Sequence, residues 1–293
     1  MRRASRSPFR TFSKSQIERI RHRLWLSYKT LHWSQRPIQR APQTVFIVGC
    51  QRSGTTLLGR LFEKDLRTTV LYEDSCLTGH NGTRLRLKPL DEVQDLLSST
   101  FRTPLVIAKP LVESQRTDKL LDGVPHTKAL WMYRDYRDVA RSRAKRFKSN
   151  REHVKAIIEG TPESWRNERI SPEVRGVAQR LFDDSVSEIE AAAIIWYARN
   201  SLYFELGLDH RDDASLCKYE HLITDPEDCM DRVYRSIGCR TPPQSVTRTV
   251  DRDSLGLGAS LLIRPEIAEV CEQLQENLDE EYGGSRKVQP SLT

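Results

Sequence analysis

The stretch VFIVGCQRSGTTLLGRLFEK, residues 45–64, decides how this chain of 293 residues folds. Its first four residues, 45–48, form an apolar run that is typical of a short buried strand. A turn containing Gly49 and Gly54 follows, and a helical pattern begins at Thr55. The first N–H groups of a helix have no partner within it, and the positive end of the helix dipole lies beside them. The strand, the turn and the helix therefore predict an anion-binding site.

The turn fits the phosphate-binding loop pattern G-x-x-x-x-G-K-[ST] with one departure. Thr55 occupies the position of the lysine, which in nucleoside triphosphatases reaches the terminal phosphates. The nearest cation is Arg52, inside the turn. The loop is therefore less suited to a triphosphate than to a shorter phosphate group, held by backbone N–H groups, by Arg52 and by the hydroxyls of Thr55 and Thr56.

The charge balance and the cysteine spacing limit the kinds of ligand, metal site and compartment that we expect for this protein. Lys and Arg exceed Asp and Glu, 47 against 40, and the net charge of +7 fits either an anionic ligand or ordinary solubility charge. The six cysteines lack C-x-x-C spacing, so we expect no metal site and reduced thiols in a cytoplasmic protein. No apolar run approaches the roughly 20 residues of a membrane span.

Residues 1–40 differ in kind from the rest, and residues 41–293 are predicted to form a single domain. The start is rich in arginine and serine, with no acidic residue before Glu18, which favours a disordered basic arm over a mitochondrial transit peptide. Apolar residues at helical spacing over 17–31 predict a helix. We expect this helix to dock on its own domain; the alternative is peripheral contact of residues 17–31 with an anionic membrane.

Beyond the loop, short apolar runs alternate with helical patterns, which predicts a three-layer α/β/α fold with a central parallel sheet. The predicted strands are 45–48, 69–72, 105–108, 129–133 and 216–219, and a mostly helical insertion spans 152–206. Ligands of such sheets bind beyond the carboxyl ends of the strands. Glu73, Lys109 and Arg134 each follow a predicted strand, so we expect them to lie beside the loop.

A second basic motif, RDYRDVARS, begins at Arg134 and ends at Ser142. An arginine at a strand end, with a serine about two helical turns into the next segment, predicts a second phosphate site. The positive charge continues to Lys148, so a solvated basic helix and a nucleic-acid-binding helix are the alternatives.

Together the two motifs resemble the sulfotransferase family that uses 3′-phosphoadenosine 5′-phosphosulfate (PAPS), over roughly residues 44–240. The matching features are a basic-S-G-T-T turn, an R-D-x-R-D-V stretch with a serine eight residues after its first arginine, and a late Y-E-x-L segment that begins at Tyr219. The resemblance implies a P-loop-like sulfotransferase fold with PAPS as co-substrate and no metal. The implied donor-binding residues are Arg52, Ser53, Gly54, Thr55 and Thr56 at the 5′-phosphosulfate, Arg134 and Ser142 at the 3′-phosphate, and Tyr219.

The resemblance also implies transfer of a sulfuryl group to an acceptor, with Arg52 and Lys109 as candidates for stabilising charge on the leaving oxygen. Carbohydrate and protein-tyrosine members place a glutamate base about twenty residues after the loop arginine. Glu73 lies 21 residues after Arg52, so the chain is closer to that type than to the cytosolic small-molecule type. Asp74 and His126 are reserve candidates, and an ion pair is the alternative role of Glu73.

We expect the acceptor to be a glycan or another hydroxyl-bearing molecule, and we expect no nucleic-acid partner. A small-molecule kinase using ATP is the first alternative, and it lacks the Walker lysine. A basic nucleic-acid-binding protein is the second, and it leaves Glu73 unexplained. Ser260 and Arg264 are candidates for closing over the nucleotide, because the tail lacks the arginine-lysine-glycine segment of the small-molecule enzymes.

Overall fold

The computed structural model describes residues 14–38, 41–79, 85–160, 165–241, 246–247 and 255–284. Residues 1–13 of the basic arm predicted for the start of the chain lie outside these ranges. Residues 39 and 40 also lie outside them, so the predicted division between extension and domain stays a prediction.

The described residues form a five-stranded parallel sheet in the order β2-β3-β1-β4-β5. The strands are β1 (Gln43–Gly49), β2 (Thr68–Leu71), β3 (Leu105–Ala108), β4 (Thr127–Tyr133) and β5 (Ala214–Lys218). Central β1 pairs with β3 on one side and with β4 on the other. Residues 45–48 are fully buried, as expected for a strand covered on both faces.

Helices cover both faces of this sheet. They are α1 (Lys14–Ser34), α2 (Thr55–Glu63), α3 (Leu90–Thr100), α4 (Thr117–Gly123), α5 (Tyr136–Arg146), α6 (Asn150–Glu159), α7 (Pro172–Leu181), α8 (Glu188–Asn200), α9 (Leu202–Glu205), α10 (Tyr219–Thr224), α11 (Pro226–Ser236) and α12 (Pro265–Gly284), with 3₁₀ turns at Leu111–Arg116 and Leu208–His210. Val45 and Ile47 pack in one apolar cluster with α2 and α11. Phe46 and Val48 pack in a second cluster with α5 and α8. Alternate residues of β1 thus reach opposite layers, which confirms the predicted three-layer α/β/α class.

Four of the five predicted strands differ from the structure by one or two residues at an end. The last strand ends at Lys218, and Tyr219 opens α10 instead of ending the strand. Within the helical part of the chain, Pro172 begins α7, where Ser171 caps the helix. Proline suits the first turn of a helix because its missing N–H would have no partner there.

Helix α1 docks on its own domain, as predicted, through three side chains spaced four residues apart. The indole Nε1 of Trp25 donates to the carbonyl of Glu63 at 2.8 Å, and Trp33 Nε1 donates to the carbonyl of Leu66 at 2.8 Å. Lys29 is buried and its Nζ donates to the carbonyls of Glu63 and Asp65 at 3.0 and 2.7 Å. These carbonyls lie at and just beyond the end of α2, where the last C=O groups have no partner within the helix.

The apolar residues that predicted α1 lie on its other side. Ile20, Leu24 and Leu31 are 44%, 65% and 68% exposed. The sequence pattern identified the helix but not its docked face, because that face carries the indole and ammonium donors and not the apolar residues at helical spacing. None of the described helices is both long and apolar enough to cross a membrane. Contact with a membrane surface stays a prediction.

We predict that Lys29→Met lowers the free energy of unfolding by about 1–3 kcal/mol, because buried carbonyls then lose their donor. Leu24→Gln, on the exposed side of the same helix, should change it by less than about 0.5 kcal/mol. Urea unfolding followed by circular dichroism measures both. Equal effects would contradict the docking geometry.

Candidate active site at the carboxyl edge of the sheet

A cavity of about 770 Å³ opens at the carboxyl edge of the sheet. Segments that directly follow all five strands contribute to its wall, because the carboxyl ends of parallel strands meet at the same edge. Of the site residues predicted from the sequence, those that line it are Arg52, Gly54, Thr55, Thr56, Glu73, Lys109, Arg134, Ser142 and Tyr219. Ser53 does not line it; its side chain is fully buried below the turn.

Both glycines of the loop occupy positions that no other residue fits. Gly49 has a φ of +118°, and a Cβ there would lie 2.4 Å from the carbonyl oxygen of Met132. Gly54 has a φ of +93°, and a Cβ there would lie 2.2 Å from Cδ2 of Tyr219. The turn is therefore pressed against β4 itself and against the segment that follows β5. Arg52 also takes a left-handed conformation, with a φ of 76°.

Glu73 and Lys109 form a close ion pair in the wall of the cavity. Lys109 Nζ lies 2.6 Å from Glu73 Oε1 and also donates to Thr56 Oγ1 at 3.1 Å. Lys109 is 5% exposed, whereas the side chain of Glu73 is 29% exposed and open to a ligand. The ion pair expected as an alternative role of Glu73 is thus present. Lys109 connects the carboxylate to the first turn of α2.

Arg134 is held from two sides at the end of β4. Its guanidinium lies 4.2 Å from the centre of the Tyr219 ring, and its Nη2 donates to Asp138 Oδ2 at 2.9 Å. The buried carboxylate of Asp138 also accepts the backbone N–H groups of Gly256 and Gly258, at 3.0 and 2.6 Å. A loop from the distant C-terminal part of the chain is therefore fixed beside the start of α5.

Arg52 and Ser142, predicted to hold different phosphates, touch each other. Arg52 Nε donates to Ser142 Oγ at 2.9 Å. Burial lowers the pKa of Arg52, and the nearby cations Arg146 and Arg134 add to this effect. The two halves of the predicted phosphate site thus form one continuous, positively charged wall.

The cavity carries more positive than negative charge. Its cationic lining residues are Arg52, Lys109, Arg134, Arg141, Lys145 and Arg146, and its carboxylates are Glu73 and Asp138. Both carboxylates are already paired with a lining cation. Within the described ranges, no carboxylate pairs with the other four cations. This donor set fits a ligand with several negative charges.

Several residues of the site were missed in the sequence. Asp138, Arg141 and Lys145 were not predicted; together with the predicted Ser142 they line the cavity from one face of α5, at helical spacing i, i+3, i+4 and i+7. This helical periodicity could have identified the residues from the sequence, but the positive charge that continues along the segment obscured it. Glu220 was also missed: its Oε1 accepts the N–H of the α5 cap Asp135 at 3.0 Å, and burial raises the pKa of this carboxyl.

Four candidates from the sequence lie away from the cavity. His126 is at the amino end of β4, at the opposite edge of the sheet, and Asp74 is exposed outside the lining. Arg264 pairs instead with Asp183, at 2.6 Å, and with Glu190. Ser260 also lies outside the lining, whereas Leu257 of the same loop belongs to it.

Comparison with known proteins gives a family match. A family model for the sulfotransferase domain matches residues 42–255. No curated protein sequence gives a match.

Similar solved structures have low sequence identity. A sulfotransferase from Alicyclobacillus acidocaldarius is 18% identical, with 82% of this chain and 92% of that chain covered and a TM-score of 0.45. The sulfotransferase domain of the olefin synthase from Synechococcus PCC 7002 is 17% identical, with 84% and 98% covered and a TM-score of 0.42. A sulfotransferase from Mycobacterium avium is 12% identical, with 87% and 81% covered and a TM-score of 0.42.

We predict that Gly54→Ala destabilises the protein more than Gly207→Ala. Both glycines have positive φ, so each alanine carries about 1–2 kcal/mol of backbone strain. A Cβ at Gly207 meets nothing within 4 Å, whereas one at Gly54 overlaps Tyr219 and adds about 1–3 kcal/mol of overpacking. Chemical unfolding of both variants measures the difference. Equal losses would mean that Tyr219 does not press on the loop.

Proposed function

Because the chain belongs to the sulfotransferase family, we propose that it transfers a sulfuryl group from PAPS to an acceptor hydroxyl, with a carboxylate as base. The observation that supports this most is the cavity at the carboxyl edge, where the glycine loop, the Glu73–Lys109 pair and the Arg134–Ser142 segment meet. Its unpaired cations suit a donor that carries two separate phosphate groups.

The donor would be held from two sides of the cavity. The N–H groups at the start of α2, the hydroxyls of Thr55 and Thr56, and Arg52 would take the phosphosulfate. Arg134 and Ser142 would take the 3′-phosphate, and Tyr219 would keep Arg134 in place. PAPS has no γ-phosphate, so the missing Walker lysine is consistent with this donor.

The residues around the proposed reaction centre have distinct roles. When bound, PAPS would supply an activated sulfuryl group. A bond from sulfur to the acceptor oxygen would form while the bond from sulfur to the bridging oxygen breaks, and the electron pair of the broken bond would stay on the bisphosphate. Glu73 takes the proton of the acceptor hydroxyl. Lys109 orients Glu73 and, with Arg52, stabilises the negative charge that develops on the leaving oxygen.

The acceptor that we propose is a glycan or another hydroxyl-bearing molecule, and not a nucleic acid. The protein's location would be the cytoplasm, since all six cysteines are free thiols and four of them are buried.

We also propose peripheral contact of α1 with an anionic membrane. Ile20, Leu24 and Leu31 are exposed on this helix, with exposed Arg21 and Arg23 beside them. The protein should bind to phosphatidylglycerol vesicles. Its binding to phosphatidylcholine vesicles should be weaker, and so should the binding of the Leu24→Gln variant to phosphatidylglycerol vesicles. Equal binding in all three cases would contradict the contact.

A binding titration separates the proposed function from its alternatives. Adenosine 3′,5′-bisphosphate, the desulfated donor, should bind more tightly than ATP, because the cavity offers two phosphate sites and no triphosphate lysine. A kinase would prefer ATP, and a nucleic-acid-binding protein would prefer duplex DNA. Equal or tighter binding of ATP would overturn the proposal.

We predict that Arg134→Gln weakens binding of adenosine 3′,5′-bisphosphate by about 1.5–3 kcal/mol, the value of a charge-assisted hydrogen bond. AMP lacks the 3′-phosphate, so its affinity should stay the same. Ser142→Ala should act in the same direction while leaving the Arg134–Asp138 pair intact. Calorimetry with both nucleotides measures these changes, and an equal loss for AMP would contradict the placement of the 3′-phosphate.

We predict that Glu73→Gln lowers the rate of transfer by about 10²–10⁴-fold, because it removes a general base. Binding of adenosine 3′,5′-bisphosphate should persist, since glutamine can still accept a hydrogen bond from Lys109. Asp74→Asn, on the exposed neighbour, is the matched control and should keep full activity. Unchanged turnover in Glu73→Gln would exclude the proposed role.

A further inference from the structure

A second cavity, of about 130 Å³, adjoins the first. Gln51 and Phe147 line both cavities, so the smaller one meets the larger one beside the phosphate loop and the end of α5. Its cationic lining residues are Arg143, Arg166 and Arg199. None of the described residues that line it is an Asp or a Glu.

Two of these arginines are buried against neutral partners. Arg143 and Arg199 are each 3% exposed. Arg143 Nη1 donates to the amide oxygen of Gln51 at 3.0 Å, and Arg199 Nη1 donates to that of Gln115 at 3.0 Å. The Nε of Arg143 is buried and makes no hydrogen bond. Amide oxygens satisfy individual N–H groups but do not neutralise the charge, and a buried charge without a counter-ion is expensive.

Among the other buried cations in the described part of the chain, Lys109 and Arg134 each have a carboxylate, whereas Lys29 donates to backbone carbonyl groups. Lys109 pairs with Glu73, and Arg134 pairs with Asp138. The two arginines of the second cavity therefore differ from Lys109 and Arg134, the buried cations of the larger cavity.

Burial and mutual repulsion lower the pKa values of these cations. Burial lowers the pKa of Arg199 to about 10, and Arg143 and Arg166 contribute to the lowering. Burial, with Arg166 and Arg143, lowers the pKa of His153 in the same wall to about 4. The imidazole is therefore neutral at pH 7, and the net charge of the cavity comes from the arginines.

Aromatic rings flank the two buried guanidinium groups. The Arg143 group lies 5.3 Å from the centre of the Phe147 ring, and the Arg199 group lies 4.8 Å from that of Trp165. Such contacts fix the planes of the guanidinium groups without neutralising them. Fixed planar donors favour carboxylate, sulfate and phosphate oxygens.

We propose that this second cavity binds an anionic group of the acceptor, while the acceptor's hydroxyl lies beside Glu73 in the larger cavity. The inference rests on the proposed sulfuryl transfer and narrows its acceptor class to hydroxyl-bearing acids. The anionic group is a carboxylate, a sulfate ester or a phosphate ester, held by Arg143 and Arg199.

The first test measures anion binding without any turnover. Protein saturated with adenosine 3′,5′-bisphosphate, which occupies the donor site, is titrated with inorganic sulfate by calorimetry. Wild-type protein should bind sulfate, Arg143→Gln should bind about tenfold more weakly, and Arg143→Lys should fall between them. Arg180→Gln removes the same charge from an exposed position on α7 and should bind like wild type. Absence of binding, or equal weakening in Arg143→Gln and Arg180→Gln, overturns the proposal.

The second test identifies the source of the anion. Transfer is compared between acceptors that differ in one carboxylate: p-nitrophenyl β-D-glucuronide against the glucoside, and 4-hydroxyphenylacetate against 2-(4-hydroxyphenyl)ethanol. Wild-type protein should favour the acidic member of a pair by about tenfold or more in kcat/KM, mainly through KM. Arg143→Gln should lose this preference and keep the rate with the neutral member. Sulfate binding without any acidic preference would mean that the cavity holds a free anion, which overturns the acceptor assignment.

Two controls separate other causes of failure. If wild-type protein does not bind adenosine 3′,5′-bisphosphate, the proposed sulfuryl transfer is wrong. If it binds this nucleotide but not sulfate, only the role proposed for the second cavity is wrong. The thermal midpoint of Arg143→Gln should not fall, because removing one cation relieves repulsion with Arg166 and Arg199. A lower midpoint with unchanged sulfate affinity would assign Arg143 a structural role and overturn the proposal.

Discussion

The contact of Arg134 with Tyr219 and Asp138 is the arrangement on which the site at the carboxyl edge depends. Tyr219 also presses on Gly54, so the segment after β5 meets the phosphate loop after β1. Asp138 also accepts two backbone N–H groups of the loop at 255–260. A buried ion pair thus connects three segments that are far apart in the sequence, and a parallel sheet makes this arrangement available by ending all its strands at one edge.

Unbalanced charge is concentrated at the same edge. Arg86 pairs at 2.9 Å with Glu113 of the 3₁₀ turn that follows β3, and away from this edge Lys29 donates to carbonyl groups of the chain. In the two adjoining cavities, by contrast, Arg52 and Arg143 pair with neutral oxygens. Charges of one sign inside low-dielectric walls attract oppositely charged ligands strongly. The sites of the proposed donor and acceptor then follow from one electrostatic feature, the excess positive charge that lines the two adjoining cavities.

The sequence predicted what depends on local pattern. Apolar runs identified the strands, and strand ends placed Lys109 and Arg134 at one rim. It did not predict contacts that arise only from tertiary packing, such as the bond between Asp138 and Gly256, which are 118 residues apart. It also identified helix α1 without its docking face, because periodicity reports apolar stripes and not the reach of indole and ammonium donors. Likewise, a run of basic residues on α5 does not reveal that Arg143 turns inward while its neighbours line the larger cavity.

Two glutamines explain how the smaller cavity keeps its charge. Gln51 and Gln115 accept hydrogen bonds from Arg143 and Arg199, so they orient both guanidinium groups. A glutamate at either position would hold the same geometry but would neutralise the arginine and repel an incoming anion. A neutral acceptor would leave the buried cations uncompensated, whereas an acidic one would supply the missing counter-charge. Because the amide side chains leave both arginines charged, the cavity discriminates between ligands by their charge and not only by their shape.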